Sequence, residues 1–86
     1  MKEVKFSKHA LDKIGRLQHK GLPITREVVI QTIFKPDLSE EADEDRRIAQ
    51  KHLTEGLVIR VVYREFTAFV LTITVYPGKK SRYEKN

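Results

Sequence analysis

Residues 57–76, "LVIRVVYREFTAFVLTITVY", decide the fold. The stretch is rich in β-branched and aromatic residues and reads as two strands, 57–64 and 68–76. Alternation puts Leu57, Ile59, Val61 and Tyr63 on one face of the first, and Phe69, Leu71, Ile73 and Val75 on one face of the second. A three-residue hairpin loop, Glu65, Phe66 and Thr67, brings these faces together. A two-residue loop would set Arg60 opposite Leu71 on the apolar side, so the odd loop is expected. The opposite face then gathers Arg60, Arg64, Thr72, Thr74 and Tyr76, interleaved with Val58, Val62 and Val70.

Working upstream, Gly56 marks a turn and residues 46–53 form a third strand. A two-residue Glu55-Gly56 turn places Arg47 and Lys51 beside Arg60 and Arg64, and Ile48 toward the core. A three-residue Thr54-Glu55-Gly56 loop would turn both cations to the helix side, where lysine burial is costly. The two-residue turn is preferred. Residues 37–45, "DLSEEADED", read as an acidic loop, and Glu3–Phe6 as a short first strand.

Two helices precede the sheet. Ser7 caps the first, which runs to about Lys20 with Ala10, Leu11, Ile14 and Leu17 on one face. Gly21, Leu22 and Pro23 break it. Thr25 caps the second, Arg26 to Lys35, with Ile24 stapled to Val29 and a stripe of Val29, Ile30, Ile33 and Phe34. Pro36 stops it. Pro77 and Gly78 end the last strand and lead into a basic tail, 78–86. The expected fold is α+β: one domain over 1–86, with two N-terminal helices packed on one face of an antiparallel sheet of three to four strands.

Composition narrows the chemistry. The 86 residues contain no cysteine, which removes disulfides and thiolate metal sites and fits a reducing cytoplasm. Met1 to Phe6 is charged, so no signal peptide is expected, and no apolar run approaches a membrane span. Net charge is +5, and half of the 12 acids fall in residues 37–45. A basic body with one segregated acidic stretch is the footprint of a polyanion binder. His9, His19 and His52 lack metal-ligand spacing, the acids lack the pattern of a calcium loop, and there is no glycine-rich phosphate loop. No metal or other cofactor is expected.

Three constellations remain. On the first helix His9, Lys13, Arg16 and Lys20 lie within about 60° of one another, a cationic strip beside the buried face. It reads either as a phosphate track or as the solvated back of an amphipathic helix. His9 sits in the first turn, where the helix end attracts anions, so a phosphate and an ionisable ring meet there. The second constellation is the sheet face with Arg60, Arg64, Thr72, Thr74 and Tyr76, joined by Arg47 and Lys51. Arginine forks match phosphate oxygens, and Tyr76 offers a ring for a base. The third is the tail, where Lys79, Lys80, Arg82 and Lys85 surround Tyr83.

The order of "FSKHA", a helix ending in "KP", then "RVVY", "ITVYP" and "KKSRYE" resembles an uncharacterised small domain family that opens with F-x-x-H-A. It is similar in plan to the BrnT and RelE types of ribonuclease toxin, over Phe6 to Glu84. The resemblance implies a compact α+β fold and metal-independent RNA cleavage, and it matches at His9, Arg47, Arg60, Thr74 and Arg82. The late-chain pattern of RelE-type toxins is not reproduced in full.

On that basis the expected function is a toxin-type, metal-independent endoribonuclease acting through 2′-hydroxyl attack. His9 is expected as base or acid, Arg60 and Arg47 as charge stabilisers, Thr74 as the phosphate-orienting group, and Arg82 or Tyr83 near the leaving group. Lys13, Arg16, Lys51, Arg64, Tyr76 and Lys80 are expected to bind RNA. The expected partners are RNA and an acidic antitoxin protein, for a monomer or homodimer. The alternative is a non-catalytic RNA- or protein-binding module, or a dimerising interaction domain, using the same basic sheet face.

Overall fold

The computed structural model describes residues 2–84. The elements run β1 (Glu3–Phe6), α1 (Lys8–His19), α2 (Arg26–Phe34), β2 (Leu38–Glu41), β3 (Arg46–Thr54), β4 (Leu57–Glu65), β5 (Phe69–Lys79) and α3 (Lys80–Tyr83). The five strands form one sheet in the order β1-β5-β4-β3-β2.

The expected α+β class holds, with three differences. The sheet has five strands and is mixed, because β1 pairs parallel with β5. The acidic stretch is not a loop throughout. Leu38–Glu41 adds an exposed edge strand antiparallel to β3, and Glu44 and Asp45 take positive φ (62° and 59°) in the turn that follows. The tail begins with β5 continuing through Pro77 and Gly78, then folds into α3. Lys85 and Asn86 lie outside the described residues.

Both main helices form where their caps direct. Ser7 Oγ accepts from the Ala10 amide at the start of α1, and Thr25 Oγ1 from the Val28 amide at the start of α2. Ile14 and Leu17 of α1, with Val29 and Ile33 of α2, meet Ala49, Ile59, Val61, Tyr63, Val70 and Val75 of the sheet in one core. Ile24, fully buried beside Val29, joins them. Leu11 departs from its expected face and is largely exposed.

Two β-bulges reassign the sheet faces. In β5, Thr74 pairs with Val62 and Thr72 with Tyr63, so Ile73 is an extra residue. Above it the expected alternation stands: Val75 faces the core opposite Val61, and Thr74 and Tyr76 lie on the open face. Below it the faces exchange. Val70 and Thr72 turn into the helix side, while Phe69 and Leu71 turn to the open face. The hairpin closes through a Phe66 N–H to Phe69 carbonyl bond of 2.8 Å, shorter than the expected odd loop.

The second bulge is at Leu53, between the His52–Val58 and Thr54–Leu57 pairs. The Glu55-Gly56 turn is present as expected, yet this one extra residue reverses the rest of β3. Arg47 and Lys51 therefore lie on the helix side with Ala49, and Arg46, Ile48, Gln50 and His52 on the open face. Lys51 avoids burial by reaching the end of α2. Its Nζ donates to the Lys35 carbonyl at 2.7 Å and lies 3.9 Å from Asp37.

Candidate functional site

The open face is organised around Arg60. It stands on β4 between Gln50 of β3 and Tyr76 of β5, and it is only 6% exposed although no helix of the core layer covers it. Its guanidinium is held on every side. Nε donates to Tyr76 Oη at 2.9 Å, Nη2 to Glu40 Oε2 at 2.7 Å, and Nη1 to Gln50 Oε1. The Tyr83 ring lies 4.2 Å from the guanidinium carbon. Burial works against the charge, but the bonds to Tyr76 and Glu40 outweigh it and hold the pKa above the ordinary guanidinium value.

Tyr83 reaches this position because α3 doubles back over the sheet. The Lys80 amide donates to the Gly56 carbonyl at 3.1 Å, which anchors the helix start. The ring then settles over Gly78, where any Cβ would collide with it. Arg82 remains exposed beside the ring, its guanidinium carbon 5.6 Å from the Tyr83 centroid.

His9 arrives from the other side. Three bonds from Ser7 place it. The Ser7 amide donates to the Thr72 carbonyl, its hydroxyl donates to the Ile73 carbonyl at 2.9 Å, and its oxygen caps α1. The start of α1 is thus pinned to the β5 bulge. His9 Nε2 lies 3.1 Å from Thr74 Oγ1, and its ring is solvent-accessible. Thr74 and Tyr76 are successive residues on one face of β5, about 7 Å apart. One contacts His9 and the other contacts Arg60, so β5 brings the histidine and the arginine to neighbouring positions.

The remaining candidates are dispersed. Lys13 follows His9 by one turn and is half-buried. Arg16 borders a separate groove on α1 with Leu11, Asp12, His19 and Lys20. Arg64 lies on the open face with its guanidinium carbon 5.1 Å from the Phe66 ring centroid. Lys80 is half-buried at the base of α3. Thr72 is fully buried on the helix side, and Arg47 and Lys51 also lie on that side, so the structure does not bring these three to Arg60. Sequence reasoning missed Gln50 and Glu40. Gln50 was hidden by the β3 bulge, and Glu40 by the reading of its segment as a loop. Among the described residues no three His, Cys, Asp or Glu side chains gather as a metal site, and no helix is long and apolar enough to cross a membrane.

No family model and no curated sequence matches the chain. Two solved structures share its fold. The conserved hypothetical protein HP0894 of Helicobacter pylori superposes with a TM-score of 0.57 at 14% identity, over 90% of this chain and 94% of that one. YafQ from E. coli superposes with a TM-score of 0.59 at 8% identity, over 99% of this chain and all of the other. At these identities the likeness concerns the fold alone.

Proposed function

We propose that the protein is a small endoribonuclease of toxin type that cuts RNA without a metal ion. The observation that carries this reading is the pairing along β5: His9 on Thr74, and Arg60 on the adjacent Tyr76. RNA supplies its own nucleophile. Cleavage requires a group that removes the 2′-hydroxyl proton, a cation that balances charge developing on the phosphorane, and a donor for the departing 5′-oxygen.

In this reading His9 takes the proton from the 2′-hydroxyl, with Thr74 fixing its ring. The 2′-oxygen then bonds to phosphorus as the bond from phosphorus to the 5′-oxygen breaks. Tyr76 donates toward the phosphate, because its oxygen already accepts from Arg60 and its own proton is left for another acceptor. Arg60 balances the charge once a phosphate oxygen replaces the Glu40 carboxylate on Nη2. Arg82, exposed beside Tyr83, hydrogen-bonds the departing 5′-oxygen, which takes its proton from a solvent water while His9 returns to solvent the proton it removed. The products are a 2′,3′-cyclic phosphate and a 5′-hydroxyl. Arg47, on the other face, takes no part. Lys13 tracks the backbone beside His9. An acidic antitoxin would bind this basic surface, and the reading places the protein in the cytoplasm.

One observation favours a second reading, a non-catalytic binding module. Arg60 is already satisfied by Glu40, Gln50 and Tyr76, as a purely structural arginine would be. Incubation of single-stranded RNA with purified protein in EDTA separates the two. Cyclic-phosphate ends that disappear in His9→Ala and in Tyr76→Phe support the nuclease. Intact RNA with salt-sensitive binding, unchanged in His9→Ala, supports the module.

A further inference from the structure

The open face has a second cationic cluster, below the one around Arg60. The strand register aligns Arg46 of β3 with Arg64 of β4, Arg64 with Leu71 of β5, and Leu71 with Lys5 of β1. Three cations thus share one row across the sheet. Arg46 and Arg64 are direct cross-strand neighbours, an arrangement that costs the fold stability. Among the described residues neither forms an ion pair. Arg46 and Arg64, with Arg47 from the other face of the sheet, line a cleft of about 450 Å³ at the β4–β5 hairpin. Glu41 and Asp45 line it too without pairing to any of these arginines, and Glu65 is engaged by Lys2.

The hairpin adds aromatic rings to this charge. Phe66 and Phe69 stack with centroids 4.8 Å apart and planes 21° from parallel, both half-buried. Arg64 sits against the Phe66 ring, and Lys5 against the Phe69 ring at 4.5 Å. Rings flanked by unpaired cations are the elements with which single-stranded nucleic acid is bound: cations for phosphates, ring faces for bases. The carboxylates of an acidic peptide would engage the cations but not the ring faces, so the combination favours a nucleotide.

We propose that Arg46, Arg64 and Lys5, with Phe66 as a stacking platform, form a second nucleotide subsite that holds single-stranded RNA beyond the reacting phosphodiester. The inference rests on the RNA reading above. Arg64 lies four residues from Arg60 along β4, roughly 13 Å. The two clusters are therefore too far apart for one phosphate, and the strand crosses between them over Ile48 and Val62.

The test is fluorescence anisotropy with a labelled octanucleotide carrying 2′-O-methyl riboses, which cannot be cut, across a salt series. Wild type is compared with Arg46→Ala/Arg64→Ala and Phe66→Leu, with circular dichroism melts confirming folding and Arg64→Lys as a charge-preserving control. The double variant is expected to lose tenfold or more in affinity, with a salt slope shallower by about 1.4, or about 0.7 for each phosphate released. Phe66→Leu is expected to weaken the octanucleotide about tenfold and an abasic oligomer of the same length not at all.

A folded double variant with wild-type affinity and slope would overturn the subsite and leave the proposed function standing. No binding by wild type would overturn both. Displacement of the RNA by an acidic peptide as readily as by unlabelled RNA would overturn the assignment to RNA. The expected losses, with uncut RNA in the EDTA assay, would uphold the subsite while removing the nuclease reading.

Discussion

Glu40 and Arg60 are joined across the sheet by a 2.7 Å bond between Oε2 and Nη2, which ties an exposed edge strand to the most buried cation among the described residues. The carboxylate is half exposed, whereas the guanidinium side chain is 7% exposed. Glu40 therefore acts as an anion that another anion can replace. Glu40→Gln keeps an oxygen acceptor and removes the charge. It is expected to raise affinity for single-stranded RNA several-fold at low salt and to lower stability by about 1 kcal/mol. Anisotropy titrations and urea unfolding check the two effects. Weaker RNA binding would mean that Glu40 orients Arg60 for its ligand instead of competing with that ligand.

Tyr83 and Gly78 provide a second test, because the ring occupies the space a Cβ at Gly78 would need. The ring belongs to a terminal four-residue helix and has room to lift, so Gly78→Ala is expected to displace α3 without unfolding the sheet. Its stability loss should match that of Tyr83→Ala, about 1 kcal/mol from the lost cation–π contact. In the double variant the two effects should not add. Additive losses in urea denaturation would show that Gly78 acts independently of Tyr83.

Much of this arrangement was readable in the residues. Both helix caps, the apolar faces of Ile59, Val61 and Val75, and the open-face placement of Arg60, Arg64, Thr74 and Tyr76 follow from capping chemistry and alternation. The errors in strand facing share one physical cause. An extra residue at Leu53 or Ile73 reverses every side chain beyond it, and neither stretch marks the position. In "FVLTIT" both parities are apolar or β-branched, so Leu71 and Thr72 look interchangeable. In "RRIAQK" cations occur on both parities, so Arg46 and Arg47 exchange roles unseen. Glu40 was illegible for another reason. A strand of "LSEE" lacks β-forming residues and exists because β3 offers it a ladder.

Glu65 gives a pH-dependent prediction. Its hydrogen bond to Lys2, at 2.7 Å, and the charge of that lysine hold the carboxyl below its ordinary value. A depressed carboxyl contributes stability above its unfolded pKa, about 4.3, and loses it as pH falls through the lower folded value. The pair fastens β1 to the end of β4 but is half exposed, so solvent screening keeps its contribution under about 1 kcal/mol. Lys2→Ala is expected to be slightly less stable than wild type at pH 7. The difference should shrink as pH drops below about 4 and vanish once Glu65 is protonated in both folded proteins. Urea midpoints across pH check it, and a constant difference would assign the effect of Lys2 to packing.

Thr72 is the fourth case. It is completely buried on the helix side, displaced there by the Ile73 bulge, and among the described residues its hydroxyl has no hydrogen-bond partner. Its backbone carbonyl is used by Ser7, but Oγ1 contributes nothing to that contact. A buried hydroxyl without a partner costs about 1–3 kcal/mol, and valine has nearly the same shape. Thr72→Val is expected to stabilise the protein by about 1 kcal/mol, raising the urea midpoint with the slope unchanged. Thr74→Val is the contrasting substitution. It removes the hydroxyl that contacts His9 on the open face, so RNA cleavage should fall while stability barely changes. Destabilisation by Thr72→Val would mean that the hydroxyl has a partner, such as a buried water. Unaltered cleavage by Thr74→Val would separate His9 from the chemistry on β5.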